Sequence, residues 1–124
     1  MKFTNEQIYQ MANELLQAFD NSDIYIPARA NFSIQKNTEL LAAAAKEIEK
    51  TRVSVAQHYG EPSENGESYI IPADKLEEAN KELIELFTME QDIDIKTFSI
   101  ETLGDVKLTS AQMHAIMFMI EDWA

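Results

Sequence analysis

The sequence predicts an α+β fold that is mostly helical, with about four helices and a small antiparallel β-sheet. Three observations support this prediction. Apolar residues recur at helical spacing through four segments, one of which is long. Two of these segments begin with a clear capping box. Short stretches rich in β-branched residues lie between the helices and are bounded by Pro or Gly. A chain of 124 residues suggests a single domain, residues 1–124.

The first and last helices have the clearest starts. Capping boxes at Thr4–Gln7 and Thr109–Gln112 precede apolar residues at the spacing of a helix. They predict helices over 5–19 and 110–122. The last helix has apolar residues around most of its circumference, which indicates burial on two sides or a subunit interface.

The segment 31–59 is predicted to be one long helix. Gly60 follows where a left-handed C-cap is usual, and Pro62 prevents continuation. At 1.5 Å per residue this helix would span roughly 43 Å, which exceeds the ~13 Å radius of gyration of a compact domain near this size. We therefore expect a homo-oligomer in which a second copy buries part of the helix. The predicted interface residues are Ile34, Leu41, Ile48, Val55, Phe118 and Met119.

Shorter elements are predicted between these helices. Asp74 and Glu77 suit the start of a helix over 75–89. Its predicted apolar stripe is Leu76, Ala79, Leu83 and Phe87. The Asn65–Gly66 pair predicts a tight turn within 60–68. The extended segments expected to supply the sheet are 23–27, 69–71, 93–99 and 106–108.

Composition and charge narrow the classes of function. The net charge of −12 disfavours binding to nucleic acid and to anionic lipid. There is no cysteine, so the fold does not depend on disulfides and no cysteine metal site exists. No apolar run reaches the ~18–20 residues of a membrane span, and no signal peptide is evident. We expect a cytoplasmic protein that does not bind membranes.

No stretch of the sequence predicts catalysis. The three glycines do not form a phosphate-binding loop, and His58 and His114 lack metal-site spacing. Asp92 and Asp94 share one face of the predicted strand, but no third ligand lies at a recognisable spacing. We expect no enzyme activity, no metal and no cofactor.

The basic residues are concentrated in one segment. Residues 29–52 hold five of the ten basic residues and three acids, a local charge of +2 in a chain that is otherwise −14. One interpretation is a site for a small anionic ligand around a helix start. Its candidate residues are Tyr25, Arg29, Asn31, Gln35, Lys36 and Arg52. The other interpretation is an ordinary solvated helix, with Asn31 or Ser33 as its cap and Arg29 paired with an acid.

The layout of the whole chain resembles a family of small accessory proteins of tailed bacteriophages and prophages from Gram-positive and gut bacteria. The resemblance lies in an opening helix (MKFTNEQIYQMANELL), an extended-to-helix junction (YIPARANFSIQKN), a long helix ending in AQHYGE, and a closing strand and helix. It implies a phage origin and the cytoplasm of an infected bacterium. It transfers no functional residue.

Three functions follow from these observations. The first is a self-assembling, non-enzymatic protein that sequesters an anionic signal of host defence, such as a cyclic nucleotide. The second is a virion or tail assembly protein that acts through protein–protein contacts alone. The third is an acidic inhibitor that imitates DNA and occupies a host nucleic-acid-binding protein.

Overall fold

The computed structural model describes residues 1–20 and 22–121, and this part of the chain has the predicted α+β, mostly helical architecture. The α-helices are α1 (Asn5–Ala18), α2 (Ala28–Tyr59), α3 (Leu76–Thr88) and α4 (Ser110–Ile116). The strands are β1 (Lys2–Thr4), β2 (Glu61–Pro62), β3 (Tyr69–Ile70) and β4 (Glu90–Asp92). Short 3₁₀ helices cover Ala73–Lys75, Ile100–Leu103 and Met117–Met119.

Helix α2 is the spine of the fold, and both α1 and α3 pack along it. It has 32 residues, so it is roughly 48 Å long. It begins at Ala28, three residues earlier than predicted, directly after Pro27. Pro suits the start of a helix because its fixed φ is compatible with helical backbone. Asn31 and Ser33 lie inside the helix, so the expectation that one of them caps it is wrong.

The heptad stripe of α2 is covered by the chain itself. Ile34, Leu41 and Ile48 are buried in the core with apolar residues of α1, α4 and the segment before α4, while Val55 is half-buried. The three buried side chains offer no surface to a second copy, which corrects their prediction as interface residues.

The predicted interface residues near the C-terminal end of the described chain are also inside the fold. Met119 is fully buried, and Phe118 is half-buried with its ring edge-on to that of Phe3, centroids 6.0 Å apart. Helix α4 ends at Ile116 and continues as a 3₁₀ turn, which carries Met119 inward. The predicted helix end at residue 122 lies outside the described residues.

The sheets are smaller than predicted and differently composed. β1 pairs antiparallel with β4, with Lys2 opposite Asp92, and β2 pairs antiparallel with β3 around the predicted turn. Segments 23–27 and 106–108 form no strand, and 93–99 contributes a single bridge between Phe98 and Ile120. The backbone of the 93–99 segment is held by the Asn37 side chain at Lys96 and by backbone hydrogen bonds of Ile93 to Met1 and of Phe98 to Met119.

Helix starts show where local sequence patterns hold. The capping boxes of Thr4 and Thr109 are both present, as predicted. Asp74 caps nothing, because the chain forms a 3₁₀ turn after Pro72 and α3 begins at Leu76 without a side-chain cap.

Gly60 differs from its predicted left-handed conformation. Its φ is −108° and its backbone is extended. A Cβ atom at this residue would lie 2.7 Å from the Ala56 carbonyl oxygen. Glycine is therefore required for close approach and not for a positive φ. The positive φ of the predicted turn is at Gly66.

No helix among the described residues is both long enough and apolar enough to cross a membrane.

Candidate protein-interaction groove

The residues predicted to bind an anion do not converge on one site. Tyr25, Arg29, Gln35 and Lys36 are exposed, and Asn31 is half-buried. Of the six candidates, Asn31 and Gln35 line a groove of about 540 Å³ between α1 and the first half of α2. That groove also contains the carboxylates of Asp20 and Glu39, which repel an anionic ligand.

Arg52 is remote from the other candidates and is already paired. It follows Arg29 by 23 residues of continuous helix, a separation of roughly 35 Å. Its Nε donates to Glu49 Oε2 at 2.9 Å, and Tyr9 donates its hydroxyl proton to the same oxygen at 2.9 Å. The Arg52 hydrogen bond lowers the pKa of Glu49 to about 2, and the same bond raises the pKa of Arg52. Arg52 therefore has a structural partner within the protein.

The titratable residues singled out in the sequence have ordinary surface contacts. His114 Nδ1 lies 3.4 Å from Glu14 Oε2. Asp92 accepts from the N-terminal amine at 3.0 Å, and Asp94 accepts from Lys96 at 2.7 Å. Within residues 1–20 and 22–121, no group of three or more His, Asp or Glu side chains could hold a metal ion.

An open and mostly apolar groove runs along α3, and we call it the α1–α3 groove. It consists of two adjoining hollows of about 790 and 710 Å³ that share Asn80 and Ile84. The first hollow lies over the start of α3 and the second lies between α3 and α1. Its apolar residues are Tyr9, Ala73, Leu76, Leu83, Ile84 and Phe87, and its charged residues are Glu6, Glu77, Lys81 and Glu85.

The groove exists because α3 has apolar residues on two sides. Ala79 and Leu86 are buried and attach the helix to the fold. Leu76 and Ile84 lie on another side and remain 46% and 64% exposed. They are eight residues apart, roughly 12 Å along the helix and about 80° apart around it, and both line the first hollow. The predicted stripe included Leu76 as an inward residue, and its exposure corrects that prediction.

Polar contacts fix the two helices on either side of the groove. The buried Asn5 on α1 donates to the Leu86 carbonyl oxygen at 2.8 Å. The rings of Tyr9 and Phe87 meet edge-on with centroids 6.1 Å apart, and the Tyr9 hydroxyl is held by Glu49. These contacts attach α3 to α1, and Glu49 links Tyr9 to α2.

The groove has an acidic margin. Its lining includes Glu6, Glu77 and Glu85 against one cation, Lys81. Glu82 lies outside this lining and accepts a hydrogen bond from Tyr59 of α2, which raises the pKa of Tyr59 to about 12. The spacing of Glu78, Glu82 and Glu85 predicts a solvated face of α3, and the predicted apolar stripe does not include Ile84. The available indication was that Ile84 lies about 140° around the helix from Ala79.

Comparison of the chain with protein-family models, curated proteins and solved structures gives no match.

Proposed function

We propose that this protein is a non-catalytic binding protein that contacts another protein through the α1–α3 groove. The observation that carries the proposal is the exposure of Leu76 and Ile84, which lie together in a groove that is mostly apolar. Contiguous exposed apolar surface on a soluble domain is typical of interaction sites. Two apolar contacts roughly 12 Å apart along a helix suit a partner helix, which presents its own side chains at the same repeat.

A small ligand fits this groove less well than a protein segment does. Each hollow is within the ~300–1,000 Å³ range of ligand pockets, but such pockets enclose most of the ligand surface. Here the hollows are shallow and lie end to end along one helix, which favours an extended occupant. The acidic margin further disfavours the small anion that the basic segment suggested.

This function corresponds to the second of the three expected from the sequence, action through protein–protein contacts. The resemblance to phage accessory proteins suggests a virion protein or a host protein as the wider class of partner. The glutamates of α3 favour a partner surface that is basic as well as apolar.

Site-specific photo-crosslinking tests the proposal directly. Ile84→p-benzoylphenylalanine places the crosslinker in the groove, and Ile70→p-benzoylphenylalanine places it at an equally exposed residue in β3. Both variants are expressed in bacteria and irradiated. We expect a covalent protein adduct from residue 84 and none from residue 70, and we expect the adduct to disappear when Leu76→Glu is added.

The adduct is identified by mass spectrometry, and its binding is then reproduced with purified proteins. Helical content and thermal unfolding of each variant are measured by circular dichroism, to show that the groove is still folded. Absence of a protein adduct from residue 84, or the same adducts from both residues, contradicts the proposal.

A further inference from the structure

We propose that the partner seated in the α1–α3 groove is a second copy of this chain, through the solvent face of its helix α2. This face is defined by Phe32, Lys36 and Leu40. The inference rests on the proposed function, because it names the occupant of the same groove.

The solvent face of α2 has the same apolar spacing as the groove. Phe32 and Leu40 are 60% and 39% exposed and are separated by eight residues, roughly 12 Å. Leu76 and Ile84 have the same separation on α3. Phe32 and Lys36 lie on the side of α2 opposite the buried Ile34, Leu41 and Ile48, so the face is free of the protein's own core. Two helices with matching repeats can pack side chains of one between side chains of the other.

The two surfaces also have opposite charge. Within 28–46, α2 carries Arg29, Lys36 and Lys46 against a single acid, Glu39. The groove is lined by Glu6, Glu77 and Glu85 against a single cation, Lys81. Copies with a net charge of −12 repel each other at long range, so a stable contact requires a local region of attraction. Helix α2 is where this acidic chain supplies positive charge, with five basic residues and three acids.

The cations of this face are available for such a contact. Arg29 and Lys46 form no ion pair with any residue that the structure describes, and Lys36 lies 3.9 Å from Glu39, at the limit of an ion pair. Their ammonium and guanidinium groups therefore remain hydrated at the surface. Against Glu77 and Glu85 of a second copy, they would gain partners next to the apolar contacts.

The arrangement predicts open or cyclic assembly and not a symmetric dimer. Each copy offers one groove and one α2 face, and these are different surfaces. A contact between different surfaces leaves both molecules with one free surface, so addition continues until a ring closes or a filament forms.

Two single variants separate the two surfaces. Phe32→Glu removes the α2 face and leaves the groove, while Ile84→Glu removes the groove and leaves the α2 face. Both residues are exposed, so neither change disturbs the core. Ile70→Glu is the matched control, because it adds the same charge at an exposed isoleucine outside both surfaces.

Sedimentation velocity of the purified full-length chain, over a range of protein concentrations, measures the assembly. We expect the unmodified chain and Ile70→Glu to form species larger than a dimer, and each of the other two variants to associate more than about tenfold more weakly. An equimolar mixture of Phe32→Glu and Ile84→Glu should form a dimer and nothing larger, because only one productive contact remains.

A monomer at all concentrations, or a mixture that stays monomeric, overturns this inference. The photo-crosslinked adduct from residue 84 separates its failure from that of the proposed function. An adduct with this chain's own mass supports both. An adduct with a different protein supports the proposed function and overturns the self-association. Absence of any protein adduct overturns both.

Discussion

Asn37 on α2 provides the sharpest test of how the fold is held together. Its side chain is fully buried. Its Nδ2 donates to the Lys96 carbonyl oxygen at 2.9 Å and to Met119 Sδ at 3.3 Å, and its Oδ1 accepts from the Lys96 backbone N–H at 2.7 Å. One amide thus replaces the strand that would otherwise pair with this part of the 93–99 segment. We predict that Asn37→Ala is strongly destabilising.

The magnitude follows from the lost contacts. Two backbone groups of Lys96 lose their partners, at about 1 kcal/mol each, and the buried space left by the amide adds a further penalty. Because Lys96 is itself exposed, water replaces part of the loss. The expected decrease in the free energy of unfolding is about 2–4 kcal/mol, which lowers Tm by about 8–16 °C for a domain near this size.

Urea unfolding followed by circular dichroism measures this change. Asn13→Ala is the control, because Asn13 is an exposed residue of α1 and its replacement should change the free energy of unfolding by no more than about 0.5 kcal/mol. If Asn37→Ala unfolds at the same urea concentration as the control, with the same slope, then Asn37 does not secure the 93–99 segment and our account of that region is wrong.

Two further predictions concern other contacts of α2. Glu49→Gln should cost about 1 kcal/mol near neutral pH, discounted for partial exposure. The Arg52 hydrogen bond lowers the pKa of Glu49 from 4.5 to about 2. The difference in the free energy of unfolding between Glu49→Gln and the unmodified protein should therefore be present above about pH 4.5 and vanish as the pH falls towards 2. A difference that does not change with pH would contradict this prediction. Gly60→Ala should cost about 1–3 kcal/mol in thermal unfolding, because its Cβ would lie 2.7 Å from the Ala56 carbonyl oxygen. Gly66 has open space where a Cβ would lie, and its positive φ suits Asn, so Gly66→Asn should leave the free energy of unfolding nearly unchanged. If Gly60→Ala and Gly66→Asn are equally destabilising, the clash at Gly60 is not the cause.

The helices could be predicted because their boundaries are set by neighbours in sequence. The hydroxyl oxygens of Thr4 and Thr109 each accept a hydrogen bond from the backbone N–H three residues later. The Gln at that later residue accepts a hydrogen bond from the backbone N–H of the Thr. These contacts form within one turn, so the residue types and their spacing are sufficient evidence. The start of α2 was less certain because Pro27 provides no side-chain cap and its effect is limited to backbone geometry.

The sheet could not be predicted from local patterns. The side chains of segment 93–99 alternate between two faces as they do in a strand, but the strand that would pair with it has to come from elsewhere in the chain. The structure supplies Asn37 and the single bridge to Ile120 in place of a second strand. A pattern that is compatible with a strand does not indicate whether the chain provides a neighbour for it.

The groove was missed for a related reason. Leu76 and Ile84 have the composition of core residues, and the phase of Ile84 indicates a second apolar side of α3 without showing whether that side faces the core or a partner. The heptad of α2 shows the converse error, because Ile34 and Leu41 were assigned to an interface and are buried by α1 and α4. Both errors arise because burial depends on how helices are arranged around each other.

The charge pattern of α2 was recognised from the sequence, but the structure changes the ligand that it favours. Arg52 is paired with Glu49, and the remaining cations lie spread along an exposed helix beside Phe32 and Leu40. A small anion is held by cations that converge, whereas a row of cations with apolar side chains between them suits an extended acidic and apolar surface. Helix α3 of the same protein is such a surface. The basic segment of this acidic chain is therefore explained most directly as the complement of its own groove.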